Sequence, residues 1–298
     1  AFLFWGLYVL LKNEQEGVPL KERLGAGISW LLAGLMQPQS LVIGLGLVGL
    51  YGAVRLILSR FSNWPWDLRR FLRTAVWLGL FAAPLVVYTG VYFLTDLYLR
   101  VWAQQNLISS PPVGDYLLAY APVIPLVIWG GRAVFRERKG TMLIFLLWAA
   151  VFLPAAYLPY DLQRRLTEGG WAACVVLALF GYLRVSAHFQ RAARVVGVTL
   201  FIPAVILLAG GGLAVRTVQP PVFRPGPETE MFLKIRDLLP RDTVILAEYD
   251  TSNALPAWTP QFTLIGHGPE SAHLRELRPT AEAFLADPAK DDLEWLKA

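Results

Sequence analysis

The sequence predicts a mainly α protein: a polytopic membrane helix bundle of about eight spans or partial spans, followed by a small α/β domain. Three observations carry this. Of 298 residues, 55% are hydrophobic and only 16% are charged, where soluble domains carry about 25% charged residues. The apolar residues fall into long runs, with basic residues in short clusters between them, which is the arrangement of cytoplasmic loops. After Val215 the pattern changes to short amphipathic segments bounded by Pro and Gly. Those basic clusters account for the net charge of +5, so nucleic acid is not an expected partner. The single cysteine, Cys174, lies inside an apolar run and excludes an internal disulfide.

Residues 1–11 read as the tail of a membrane helix. The chain opens Ala-Phe-Leu-Phe-Trp, without Met and already apolar, which gives the expectation that an N-terminal part is missing. Leu24–Met36 and Leu41–Leu58 are spans separated only by Gln37-Pro38-Gln39-Ser40, a tight hairpin or broken helix because proline cannot continue the backbone ladder. Ser59–Arg73 is a basic loop, within which Asn63-Trp-Pro-Trp-Asp67 reads as an amphipathic connector lying flat on the membrane. Thr74–Leu94 is a span containing Pro84, and Thr95–Asp115 is a polar loop rich in aromatics. Tyr116–Trp129 is a span interrupted by Pro122 and Pro125. Thr141–Leu158, Trp171–Leu183 and Val195–Val215 complete the set.

Loop charges set the expected orientation. The loops at 12–23, 59–73, 130–140 and 184–194 hold three, four, four and three basic residues, whereas the alternate loops hold none, one and two. The first set is therefore expected in the cytoplasm, and the second set outside with everything after Val215. The tail comprises a stiff Pro-rich linker over 216–227 and a domain over 228–298. Within that domain the pattern predicts a helix over Glu228–Leu239, strands at Thr243–Ala247 and Phe262–Ile265, and helices over Ala272–Leu285 and Asp292–Leu296.

Candidate chemistry sits in the outer set. Between two apolar runs lies the island Tyr157-Leu-Pro-Tyr160-Asp161-Leu-Gln163-Arg164-Arg165-Leu-Thr-Glu168-Gly-Gly170. Adjacent arginines run against the charge bias there and suit an anionic head group or phosphate; a snorkelling loop end is the plainer alternative. Amides and aromatics around Trp102, Gln105 and Asn106 suit sugar hydroxyls, or else belong to an aromatic belt. Asp96 and Asp161 are the carboxylates nearest the outer surface, each either a general base or an ion-pair partner, Asp161 for Arg164 or Arg165. His267, between two glycines after a predicted strand, is a ligand contact or an ordinary turn residue. Gly44-x-Gly46-x-x-Gly49 matches a dinucleotide fingerprint only as text, since it lies inside an apolar span; helix packing explains it better. No metal-ligand set or soluble-enzyme motif is present.

Three segments carry a family resemblance: Trp102 to Pro112, Tyr157 to Gly169, and Val244 to Trp258 with Gly266-His267-Gly-Pro-Glu270. They resemble bacterial multi-spanning membrane glycosyltransferases of the GT-C fold. The resemblance implies transfer of a sugar from a polyprenyl-phosphate donor to a glycan, lipid or protein acceptor, on the outer face of the bacterial inner or plasma membrane. It implies Arg164 and Arg165 as contacts for the donor phosphate. Trp102, Gln105, Asn106, Tyr160, Gln163 and His267 would serve sugar or acceptor. It assigns no cofactor, though a divalent metal is compatible with the chemistry. In that family the catalytic carboxylate usually lies in the first outer loop, which is expected upstream of residue 1; Asp96 and Asp161 are the candidates within this sequence. The alternatives are a transporter or flippase of lipid-linked sugars and a non-catalytic scaffold in envelope assembly. No charged residue is read as lying deep in a span, and no internal repeat is evident, which disfavours transport.

Overall fold

Prolines and short polar side chains punctuate the apolar runs, and the helices of the computed structural model begin and end at them. The structure describes all residues except 106–108, 160–162, 200, 218–222, 267, 269–270, 272 and 288–298, together with the side chains of 105 and 217. The predicted helix over Asp292–Leu296 lies outside the described residues. The chain divides into two compact units, Ala1–Asp96 with Leu107–Gly197, and Leu97–Asn106 with Val198–Ala298.

In the first unit, α1 (Phe2–Gln15) carries buried Asn13 in its last turn. The Asn13 side chain accepts from the Val18 amide at 2.8 Å and donates to the Arg70 carbonyl at 2.6 Å. After α2 (Leu20–Met36), only Gln37 is extended before α3 (Pro38–Phe61) starts with proline at its first position, where a missing N–H costs nothing. Asp67 caps α4 (Leu68–Thr95), accepting from the Arg70 amide at 3.0 Å. Helices α6 (Val113–Tyr120) and α7 (Ile124–Arg136) are bent by 82° where Pro122 interrupts the ladder. Helix α8 (Gly140–Ala155), a 3-10 turn (Gln163–Thr167), α9 (Gly170–Tyr182) and most of α10 (Ala187–Thr199) complete this unit. Its core includes fully buried Leu10, Trp30, Tyr51, Leu78, Ile144 and Leu177.

Helices α7 and α9 make the closest approach. A Cβ on Gly130 would sit 2.2 Å from the Leu177 carbonyl oxygen, and one on Gly181 would sit 2.3 Å from that of Leu126. This is small-residue packing of backbone on backbone. In the Gly44–Gly49 run Gly44 also packs closely, a Cβ there lying 2.6 Å from Leu3 and 3.0 Å from the Trp30 ring, whereas Gly46 and Gly49 have no neighbour within 4 Å among the described residues.

Three helical stretches are long and apolar enough to cross a membrane: Pro38–Phe61, Leu68–Thr95 and Ala187–Arg216. The bent α6–α7 pair is a fourth if it forms one span, and α8 is apolar but shorter. Two expectations are corrected. Residues 63–67 are no surface-lying connector: Trp64 is 5% exposed and meets Phe135 edge-on, with ring centroids 5.8 Å apart. The last apolar stretch also starts earlier than Val195, because Ala187-His-Phe-Gln-Arg-Ala-Ala-Arg folds as the first turns of α10; the helix propensity of Ala, Gln and Arg outweighs their polarity.

In the second unit, α5 (Leu97–Gln105) occupies part of the predicted polar loop, and α11 (Ile202–Thr217) follows α10. Beyond them come α12 (Gly226–Leu238), β1 (Val244–Ile245), α13 (Tyr249–Ala254), a 3-10 turn (Leu255–Ala257), β2 (Phe262–Thr263) and α14 (Leu274–Ala286). The strands pair in parallel, Val244 opposite Phe262, and each is two residues long, shorter than the alternating runs predict. Gln261 donates to the Leu239 carbonyl at 2.8 Å, and Thr251 to Glu228 at 3.2 Å, tying the crossover to α12.

Candidate functional site

Among the described residues, the polar contacts that join one loop of the first unit to another fall into two groups, each within one of the two alternating sets. In the basic set, Arg70 donates to the Gln15 carbonyl at 3.0 Å and Gln15 to Thr141 at 3.4 Å. Arg138 donates to the Asn63 carbonyl at 3.3 Å, and Arg184 pairs with Glu137 at 2.5 Å. In the other set, Gln37 donates to Glu168 at 2.5 Å. Ser110 donates to the Ala156 carbonyl at 2.6 Å and Tyr157 to that of Pro111 at 2.5 Å. The hairpin turn, the end of the long loop and the arginine island therefore meet.

The island is built on close packing. Gly169 has φ +82°, and a Cβ there would lie 2.1 Å from the Trp148 ring; one on Gly170 would lie 2.4 Å from Phe152. Glycine alone lets the chain turn this tightly onto α8. The preceding 3-10 turn carries Gln163 half-buried and Arg164 and Arg165 exposed, while Leu166 points inward. Leu166 and Leu158 help line an apolar groove of about 250 Å³ between α3 and α8. Among the described residues neither arginine has an ion pair, and the island carboxylate Glu168 is engaged by Gln37. A second apolar cavity, about 340 Å³, lies at the α6–α7 bend and is lined by Tyr116, Tyr120, Phe152 and Cys174. Two exposed guanidinium groups beside an apolar groove can hold a phosphate whose substituent is a hydrocarbon chain.

Of the sequence-predicted residues, Arg164, Arg165 and Gln163 share one turn. Asp96 is the C-cap of α4 in the first unit, and Trp102 lies on α5 in the second. The Gln105 side chain and all of Asn106, Tyr160, Asp161 and His267 lie outside the described residues, and the Asp161–arginine pair with them. Among the described residues no three His, Cys, Asp or Glu side chains could hold a metal ion together.

The sequence reading passed over Arg55. It falls within the predicted span Leu41–Leu58, is 3% exposed, and pairs with Glu14 of α1. Arg55 Nε and Nη2 donate to Glu14 Oε1 at 3.1 and 2.5 Å, and Nη2 also donates to the Pro65 carbonyl at 2.8 Å. The Tyr51 hydroxyl donates to Glu14 Oε2 at 2.6 Å. A lone arginine inside an apolar run was the available signal, since intramembrane charges are rare and paired. Comparison with protein-family models, curated proteins and solved structures finds no match for this chain.

Proposed function

We propose that the chain is a membrane glycosyltransferase that moves a sugar from a polyprenyl-phosphate-linked donor to an acceptor at the extracytoplasmic face. Supporting it are the exposed Arg164 and Arg165 on a turn whose Leu166 lines an apolar groove. The donor phosphate would lie against the guanidinium groups and the polyprenyl chain against the groove. An acceptor hydroxyl attacks the anomeric carbon, the bond from that carbon to the phosphate oxygen breaks, and polyprenyl phosphate leaves. Arg164 and Arg165 would neutralise the charge that develops on that phosphate. The base that takes the hydroxyl proton is not assigned among the described residues.

The same reading takes α1, α2, α3, α4, the α6–α7 pair, α8, α9 and the α10–α11 stretch as the eight spans or partial spans. It takes the bacterial inner or plasma membrane as their place, with the island outside. It treats residues 228–298, which contain the β1–α13–β2 crossover, as a small extracytoplasmic α/β domain.

A second reading, transport of lipid-linked sugars, is favoured by the 82° break between α6 and α7, because transporters build their sites on discontinuous helices. One experiment separates the two. The protein in detergent is expected to consume a lipid-linked sugar from a donor panel, and the Arg164→Ala/Arg165→Ala variant to lose at least about 100-fold in turnover while staying folded. Full turnover by the variant would remove the island from the reaction. Movement of the donor across liposomes without consumption would establish transport instead.

A further inference from the structure

The buried Arg55 has an unmet requirement that points to a ligand. Its guanidinium offers five N–H donors, and those on Nε and Nη2 are used by Glu14 and the Pro65 carbonyl. Nη1 is fully buried and has no hydrogen-bond partner among the described residues. Buried cationic donors are costly to leave unpaired. Nη1 lies against the first residue of α8: a Cβ on Gly140 would be 2.7 Å from it.

Helix α8 starts without a side-chain cap, so its first amides and positive dipole end are open at this place. Arg55 and Gly140 line a cavity of about 420 Å³ together with Arg138, Lys139 and Thr141. Two carboxylates also face it, and both are engaged elsewhere. Glu14 is held by Arg55 and Tyr51, and Asp67 accepts from the Arg70 amide at 3.0 Å and from its guanidinium at 3.2 Å. What remains toward the cavity is an excess of positive charge and donors from two elements.

We propose that this cavity is a phosphate-binding site, formed by Arg55, Arg138, Lys139 and the N-terminus of α8, at the end of the bundle opposite the arginine island. Its ligand is a phosphate group, supplied either by an anionic phospholipid head group or by free phosphate. Basic pockets between membrane helices at the cytoplasmic surface bind such groups, and helix N-termini favour them. The site does not depend on the glycosyltransferase reading, since it uses neither the island nor a sugar.

The test uses the whole chain in neutral detergent and follows thermal unfolding and native mass spectra. The probes are inorganic phosphate, and mixed micelles of phosphatidylglycerol or of phosphatidylcholine. The Arg138→Gln/Lys139→Gln variant removes the exposed part of the site and leaves the buried Arg55–Glu14 pair intact. The Arg69→Gln/Arg73→Gln variant is its charge-matched control outside the cavity. The expected result is stabilisation and retention with phosphate or phosphatidylglycerol but not phosphatidylcholine, weakened at least tenfold in the Arg138/Lys139 variant and unchanged in the control. Stabilisation by inorganic phosphate identifies free phosphate as sufficient; stabilisation by phosphatidylglycerol alone identifies a lipid head group. No response to either anionic probe, or an equal loss in both variants, overturns the proposal.

Discussion

Arg55 and Gly169 show how single positions hold this bundle. The Arg55–Glu14 pair is 4% and 6% exposed at its side chains, so neither charge has water to fall back on. Removing one partner of such a pair costs about 3–5 kcal/mol, whereas replacing both by apolar residues is often neutral. Glu14→Ala should therefore destabilise the protein by about that amount in denaturant unfolding, and Glu14→Leu/Arg55→Leu should recover most of the loss. Equal losses in both would mean the pair is not what is being lost. At Gly169, the left-handed φ and the Trp148 ring at 2.1 Å from an added Cβ act together. Gly169→Ala should cost about 1–3 kcal/mol in the same measurement. The sequence contains the signal for Arg55, a charge inside an apolar run, but at three residues from the end of that run it does not stand out as a deep charge. Gly169 carries no comparable signal, because its requirement is set by Trp148, more than twenty positions away.

Among elements, the breaks were legible and the packing was not. Proline explains the separation of α2 from α3 at Gln37 and of α6 from α7 at Pro122, since the missing N–H acts locally and needs no tertiary information. Burial of Trp64 depends on Phe135, far along the chain, and interfacial tryptophan is the commoner pattern. The α7–α9 contact is likewise tertiary. Because the atoms facing Gly130 and Gly181 are backbone carbonyls, a larger residue must push the helices apart. Gly181→Leu should lower the thermal unfolding midpoint, whereas Gly114→Leu, in open space, should leave it in place. The C-terminal ends of these two helices are also joined by Arg184 and Glu137. The Arg184 hydrogen bond holds the Glu137 carboxyl below its ordinary value of 4.5. With the folded value depressed, the pair stabilises fully above about pH 4.5 and fades as pH falls through the folded value. A pH series of unfolding midpoints should show this acid-side loss in the native chain and lack it in Glu137→Gln.

At the scale of the molecule, the alternation of loop charge is the most informative feature of the sequence. Each loop set forms its own hydrogen-bonded network, Gln15, Asn63, Arg70, Arg138 and Glu137 in one and Gln37, Ser110, Tyr157 and Glu168 in the other. The alternation was legible because charge rarely rests inside an apolar run, so most of it marks the ends. The composition of each end was legible for the same reason, whereas the groove beside Leu166 and the cavity at Gly140 arise only from how α3 and α8 meet. The glycosyltransferase reading depends on the two ends facing opposite sides of a membrane, with the arginine island outside. The most direct measurement is labelling of single cysteines with a membrane-impermeant maleimide in intact and permeabilised cells, in a chain whose own Cys174 is buried. Arg165→Cys should label in intact cells and Lys139→Cys only after permeabilisation. The reverse pattern would contradict an outer arginine island, and labelling of both positions in intact cells would contradict ends on opposite sides of the membrane.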